Sequence, residues 1–184
     1  PPHILQGLSE QLSLLGIKDD KKPNLDWLNF NKTSLKIPEP FFIINPGCSN
    51  KHKEKKWPAR YFAEIANYLV TKKITPVVIG TENDRESVDE IILLCKEAIN
   101  LINQSPLDVI ISLSEKAIGA ISNDTGPAHV IATTGCKLHL VISSFTRVNQ
   151  VAPKNENVTY TQLNKIIDIK SEKVIKAINQ IIGL

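Results

Sequence analysis

The residues best suited to chemistry lie at positions 124–129, read Asp-Thr-Gly-Pro-Ala-His, and follow an apolar run at residues 117–121. This order predicts a strand, a turn and a helix whose first turn contains the proline. The first NH groups of a helix have no partner within the helix, and Gly126 lets a ligand approach the backbone closely. Such a turn can bind phosphate. An ordinary helix start, with Asp124 or Thr125 as N-cap, is the alternative.

A second group of candidate residues follows the predicted strand at residues 41–45. The turn Gly47-Cys48-Ser49 comes first, and the basic segment 51–56 comes after it. A diphosphate requires cationic side chains and NH donors, because a half-buried polyanion must be paired. A solvated basic loop is the alternative. The position at the carboxyl end of a strand favours the phosphate interpretation.

A third group, the acidic residues Glu82, Asp84 and Glu86, follows the apolar run at residues 75–79. A carboxylate at this level can accept hydrogen bonds from ribose hydroxyls, as an acidic residue does in dinucleotide-binding folds. It can equally well cap the next helix, as Asn83 or Asp84 would, or complement the helix dipole. The sequence favours neither ribose binding nor helix capping.

Apolar runs of strand length alternate with amphipathic stretches of helical length. Strands are predicted at residues 41–45, 75–79, 98–102, 117–122 and 138–143. Helices are predicted at residues 4–15, 58–71, 85–97, 106–114, 127–134 and 172–181. Because the strands are continuously apolar, both of their faces should be covered, as in a parallel sheet. The sequence therefore predicts an α/β, Rossmann-like, doubly wound fold that binds ligands at the carboxyl ends of its strands.

Length and charge narrow the class of protein. The chain has 184 residues, 42% of them hydrophobic, and a net charge of +3. This length suits one domain with an appendage, so we predict a helix and linker at residues 1–40 and the Rossmann-like domain at residues 41–184. Residues 19–40 are assigned to the linker because they are proline-rich and lack a sustained period. The small charge gives no support for a nucleic-acid partner.

Several kinds of site are disfavoured. Three scattered cysteines, Cys48, Cys95 and Cys136, predict neither disulfides nor a zinc site and fit a reducing, cytoplasmic setting. No apolar run approaches the roughly 18 residues of a membrane helix, and no signal peptide is recognised. Gly-x-Gly-x-x-Gly, Walker and Gly-x-Ser-x-Gly motifs are missing from the sequence. A site for a nucleoside diphosphate that is part of a larger donor is not disfavoured.

From about Phe41 to the region of Pro153 the chain resembles the C-terminal half of the heptosyltransferase family, glycosyltransferase family 9. The Lys-x-Trp-Pro element at residues 55–58 and the Asp-Thr-Gly-Pro-x-His element at residues 124–129 are specific in combination. The other matching motifs, in chain order, are Asn-Pro-Gly at residues 45–47, Val-Val-Ile-Gly at residues 77–80 with its acidic cluster, and Asn100-Leu101 with Ser105 and Leu107.

The resemblance implies a GT-B glycosyltransferase, in which two Rossmann-like domains face each other across a cleft. In that family the C-terminal domain binds a nucleotide-sugar donor, typically ADP-heptose, without a metal or other cofactor. Carried over to this sequence, Lys55 contacts the diphosphate, with Ser49 and Cys48 beside it.

The turn at residues 124–129 also receives roles from the resemblance. Backbone NH groups of Thr125 and Gly126 are expected to hold phosphate. Asp124 faces the sugar hydroxyls, and His129 lies near the phosphates. Asp84 matches the ribose-binding acid of the family better than its two acidic neighbours do.

The acceptor implied by the resemblance is lipid A or core oligosaccharide, bound by an N-terminal domain that also carries the general base. We expect that domain to be missing from this chain, so the chain alone should not transfer a sugar. A cytoplasmic protein with at most peripheral contact at the inner membrane is implied. A non-catalytic nucleotide-binding module and a degenerate remnant that serves protein contacts are the alternatives.

Three departures from the family pattern bear on the donor pocket. Asn103 replaces a glycine, and the helix after His129 has fewer small residues than is usual. The Gly-Pro-Thr turn after Ser143 is replaced by Ser-Phe-Thr-Arg at residues 144–147. The third departure puts one wall of the pocket in doubt.

Overall fold

The computed structural model describes residues 3–17, 35–48, 53–153 and 155–183. Six strands form one sheet: β1 (Phe41–Asn45), β2 (Thr75–Gly80), β3 (Ile99–Ile102), β4 (Ala120–Asn123), β5 (Leu138–Ser143) and β6 (Val158–Leu163). Their spatial order is β3-β2-β1-β4-β5-β6, and every neighbouring pair is parallel. The predicted doubly wound α/β fold is confirmed.

The helices connect these strands and flank the sheet. They are α1 (Ile4–Leu14), α2 (Ala59–Thr71), α3 (Arg85–Leu94), α4 (Leu107–Ser114), α5 (Gly126–Thr133), α6 (Val148–Val151) and α7 (Ser171–Ile182). Short 3-10 turns cover Lys53–Lys55, Glu82–Asp84 and Ile166–Asp168. The predicted elements lie within three residues of the observed bounds, whereas β6 and α6 were not predicted.

Successive side chains of the central strands enter two separate cores. Phe42 and Ile44 of β1 belong to the core under α2, α3 and α7, whereas Phe41 and Ile43 belong to the core under α4 and α5. Side chains alternate across a strand, so a strand buried on both faces needs apolar residues at every position. This burial explains the continuous apolar runs of the sequence.

Strand β6 was missed because its residues do not form an apolar run. The segment Val158–Leu163 reads Val-Thr-Tyr-Thr-Gln-Leu, and of its six side chains only that of Thr161 is buried. It pairs with β5 alone, so it forms the edge of the sheet. Polar edge strands resist pairing with other chains, and their sequences carry a weak strand signal.

The N-terminal helix α1 packs loosely on the domain. None of its residues is buried, and Leu5, Leu8 and Leu12 are each at least 41% exposed. His3 just before the helix is buried, and its Nε2 lies 2.9 Å from the carbonyl oxygen of Ala152. Residues 18–34 of the predicted linker lie outside the described residues, and the boundary at residue 40 stays a prediction.

The chain order reverses between β1 and β4. From β1 the chain moves outward through β2 and β3, then returns to β4 on the other side of β1. The loops that follow β1 and β4 diverge at this point and leave a crevice at the carboxyl ends of the strands, where open α/β sheets bind ligands. No helix among the described residues is long and apolar enough to cross a membrane.

Candidate functional site

A cavity of about 440 Å³ lies at this crevice. Its walls come from the turns that follow β1, β2, β3 and β4 and from the first turn of α5. The lining residues from these turns include Gly47, Cys48, Gly80, Thr81, Ser105, Thr125 and Gly126. Three of the groups identified in the sequence therefore converge on one concave surface.

The helix that borders the cavity, α5, starts without a side-chain cap. Thr125 is its N-cap residue but makes no capping hydrogen bond, and Thr125 Oγ1 instead accepts one from Asn45 Nδ2 at 3.0 Å. Thr125 therefore occupies the N-cap position that the ordinary helix-start alternative gives it, but its side chain does not bond the first NH groups of the helix. The helix begins at Gly126, one residue before the predicted start. Its positive end is directed at the cavity, an arrangement that favours an anion.

Gly126 has open space where a side chain would project. A Cβ built at this residue meets no protein atom within 4 Å. We expect Gly126→Ala to leave the midpoint of thermal unfolding unchanged or slightly higher, because alanine favours helix. The same methyl group should obstruct an anion at the helix start, so the dissociation constant for ADP should rise by about tenfold, as for a lost charge-assisted hydrogen bond.

Calorimetric titration and thermal unfolding test this expectation. Gly7→Ala on α1 is the matched control, because a Cβ at Gly7 also meets no protein atom. An unchanged ADP affinity in Gly126→Ala would show that the ligand does not approach this turn.

Lys55 and Asp124 form an ion pair beside the cavity. Lys55 Nζ lies 2.9 Å from Asp124 Oδ2, and the two side chains are 22% and 8% exposed. Neither residue lines the cavity itself, but Asp124 directly precedes the lining residue Thr125. The basic turn and the start of α5 therefore lie together, as the sequence analysis required.

Asn123 fixes the loop that carries Lys55. Its side chain is fully buried, and its Nδ2 donates to the carbonyl oxygens of Pro46 at 2.9 Å and Gly47 at 3.2 Å. Its Oδ1 accepts the backbone NH of Trp57 at 3.2 Å. One amide thus ties both ends of the loop between β1 and α2 to the end of β4.

Asn45 connects the same two strand ends from the other direction. Its Nδ2 donates to Ser122 Oγ at 2.8 Å and to Thr125 Oγ1, while its Oδ1 accepts the NH of Gly47 at 3.3 Å. Neither Asn45 nor Asn123 was predicted to have a role in the site. The available signal was a polar amide as the last residue of an otherwise apolar strand, where a buried group must find partners.

Asp84 joins the turns that follow β1 and β2. Its Oδ2 accepts the NH of Thr81 at 3.0 Å and the Thr81 hydroxyl at 2.9 Å, and its Oδ1 accepts the NH of Cys48 at 3.3 Å. The structure thus shows a capping role, in the 3-10 turn that precedes α3. Asp84 also lines the cavity, and a carboxylate that accepts three hydrogen bonds can still accept a fourth.

The two rival acids are exposed outside the cavity lining. Glu82 is exposed and pairs with Arg85, whose Nη2 donates to Glu82 Oε2 at 2.7 Å. This hydrogen bonding lowers the pKa of Glu82 to about 2. Glu86 is exposed as well, and neither acid lines the cavity. Of the three candidates, Asp84 is the one that lines the cavity.

The replacement of a glycine by Asn103 has a structural explanation. Asn103 has a positive φ of 58°, a conformation that asparagine tolerates better than most residues with a side chain. Its Nδ2 donates to Glu82 Oε2 at 2.8 Å. The backbone turn after β3 is thereby retained.

The loop after β5 keeps a threonine at the site. Thr146 is buried, and its hydroxyl donates to Asp124 Oδ2 at 3.0 Å. Gln162 of β6 fixes this loop, because its Nε2 donates to the carbonyl oxygens of Ser143 and Thr146, each at 3.0 Å. The Ser-Phe-Thr-Arg sequence therefore brings a threonine hydroxyl to Asp124, although none of its four residues lines the cavity.

The remaining predicted residues have less definite positions. His129 is exposed on α5 and does not line the cavity. Cys48 lines the cavity, and burial raises the pKa of its thiol. Ser49 lies outside the described residues. Among the described residues, no cluster of three or more His, Cys, Asp or Glu side chains could hold a metal ion.

Comparison with known proteins adds a family match. The model of the family described as "Glycosyltransferase family 9 (heptosyltransferase)" matches residues 8–177. The lipopolysaccharide core heptosyltransferase OpsX of Haemophilus influenzae is 25% identical over 95% of this chain and 50% of its own length. The chain thus spans about half the length of that relative.

Solved structures share the fold. A family 9 glycosyltransferase from Veillonella parvula superposes with a TM-score of 0.82 at 20% identity, over 99% of this chain and 60% of that chain. The Escherichia coli heptosyltransferase WaaC with ADP-2-deoxy-2-fluoro heptose superposes with a TM-score of 0.68 at 16% identity, over 92% of this chain and 52% of that chain.

Proposed function

The chain belongs to glycosyltransferase family 9, and on that premise we propose that it is the donor-binding half of a heptosyltransferase-like enzyme. Its substrate is an ADP-sugar, with heptose as the favoured sugar. The observation that carries this proposal is the convergence of four strand-end turns and the start of α5 on one cavity, with the Lys55–Asp124 pair beside it. The complexes of the Escherichia coli heptosyltransferase WaaC with ADP and with ADP-2-deoxy-2-fluoro heptose support the choice of nucleotide.

The proposed chemistry follows from where charge develops. When the bond between the sugar and the nucleoside diphosphate breaks, negative charge accumulates on the departing phosphate. In this proposal Lys55 and the NH groups at the start of α5 would stabilise that charge without a metal ion. Asp124 would face the sugar hydroxyls, Asp84 would accept a ribose hydroxyl, and His129 would lie near the phosphates.

We place the acceptor site and its general base in the half of the relatives that this chain does not match. An acceptor hydroxyl must lose a proton during transfer. The curated relatives act on lipopolysaccharide, so the acceptor we propose is lipid A or core oligosaccharide, reached by peripheral contact at the inner membrane. This chain alone would then bind the donor without transferring its sugar.

The donor proposal predicts that Lys55→Ala weakens ADP binding by about 1 to 3 kcal/mol, the contribution of a lost charge-assisted hydrogen bond. Calorimetric titration of the full chain with ADP, in the presence of EDTA, measures the change. Lys137→Ala is the matched control, because Lys137 is exposed and lies just before β5, at the amino ends of the strands and away from the cavity. Absence of ADP heat for the unmodified chain at millimolar nucleotide would refute the proposal.

A further inference from the structure

The carboxylate of Asp124 has two partners at a single oxygen. Its Oδ2 accepts one hydrogen bond from Lys55 Nζ at 2.9 Å and another from Thr146 Oγ1 at 3.0 Å. Asp124 is the more deeply buried member of the ion pair, with 8% of its side chain exposed against 22% for Lys55. The pair is therefore weakly screened by solvent.

This geometry places an anion of the protein where a ligand anion would need the same cation. A phosphate that binds Lys55 must take over at least part of the interaction that Asp124 now makes. Two anions that share one lysine also repel each other. The affinity for the diphosphate is then a difference between two interactions with Lys55, and the ion pair lowers it.

We propose that Asp124 competes with the donor diphosphate for Lys55 and thereby limits the affinity of the site for the diphosphate. Thr146 is the positioning residue in this arrangement, because its hydroxyl still satisfies the carboxylate when Lys55 turns to phosphate. The released Asp124 oxygen can then accept a hydrogen bond from a hydroxyl of the donor sugar. Lys55 therefore couples binding of the diphosphate to the release of Asp124 for the donor sugar. This inference rests on the proposed function.

The inference predicts an effect opposite to that of a simple ligand contact. Asp124→Asn removes the competing charge and keeps the size of the side chain, so the dissociation constants for ADP and for inorganic pyrophosphate should fall by about fivefold, as expected for a half-buried ion pair. Calorimetric titration with both ligands gives the values. A weaker affinity or an unchanged one in Asp124→Asn would overturn the inference.

A double-mutant cycle separates competition from general repulsion. If Asp124 acts through Lys55, Asp124→Asn should give no gain in a Lys55→Ala background. An equal gain in both backgrounds would mean that the carboxylate only repels the ligand at a distance, which contradicts the competition. If the unmodified chain binds neither ligand, the proposed function is wrong, and the inference that rests on it is wrong as well.

Thr146 provides an independent test that leaves both charges in place. In Thr146→Val the carboxylate loses its neutral donor and depends more on Lys55, so the dissociation constant for ADP should rise by about threefold. Thr146→Ser restores the hydroxyl and should restore the affinity. In the Asp124→Asn background the valine should have no effect, and a persisting effect there would contradict the inference.

Discussion

Replacing Trp57 by alanine is expected to lower the free energy of unfolding by about 3 to 5 kcal/mol, the range for a buried aromatic residue. The Trp57 side chain is fully buried, and its ring lies 5.4 Å from that of Tyr61 and 4.8 Å from that of Phe62, centroid to centroid. Its Nε1 also donates to the carbonyl oxygen of Ile169 at 2.9 Å. Alanine would leave both a cavity and an unpaired carbonyl.

Denaturant unfolding measures this loss, and Trp57→Phe is the matched control. Phenylalanine keeps an aromatic ring and loses the indole NH, so its effect should be about 1 kcal/mol from the hydrogen bond plus a smaller packing term. Alanine keeps the backbone NH that donates to Asn123, so the expected weaker ADP binding of this variant would come from a shift of the Lys55 loop toward the emptied space. A variant as stable as the unmodified chain would show that this packing is not formed.

The second large effect is a loss of stability in mild acid caused by His139. Burial lowers the pKa of His139 from 6.5 to about 4. Its ring nitrogens lie 2.8 Å from Thr159 Oγ1 and 3.0 Å from Thr161 Oγ1, so both ring nitrogens contact neutral hydroxyl groups instead of carboxylates. Below pH 6.5 the unfolded chain takes up a proton that the folded chain does not, and stability falls as the pH approaches 4.

The expected loss from this one residue is about 2 kcal/mol between pH 7 and pH 5. Urea unfolding at several pH values measures it, and His139→Gln should be less stable at pH 7 but much flatter in its pH dependence. His129→Gln is the matched control, since His129 is exposed. A pH dependence that His139→Gln leaves intact would assign the acid sensitivity to other groups.

The central part of the fold could be predicted because burial on both faces makes strands such as Phe41–Asn45 and Leu138–Ser143 continuously apolar, and these two bounds agree with the prediction. The edge strand Val158–Leu163 could not, because only one of its six side chains is buried and its residues form no apolar run. That omission matters for the site. Gln162 of this strand holds the loop that brings Thr146 to Asp124.

The site was predictable in position but not in its contacts. Strand-end turns meet at one edge of any parallel sheet, so Lys55 and Gly126 could be placed near each other from the order of the motifs. The pairing of Lys55 with Asp124, and the buried amides of Asn45 and Asn123, depend on contacts between residues 66 to 80 positions apart. No local pattern specifies such contacts, which arise only when the strands align.

The most direct test of the account is a titration of the isotope-labelled full chain with ADP, followed by amide NMR shifts. If the diphosphate binds at the carboxyl ends of the strands, the largest shifts should occur at the turns lining the cavity, at Cys48, Thr81, Thr125 and Gly126. Lys55→Ala should reduce these shifts at equal nucleotide concentration. Saturable shifts confined to residues far from the carboxyl ends of the strands, or no shifts at millimolar ADP, would contradict a diphosphate cradle at this edge of the sheet.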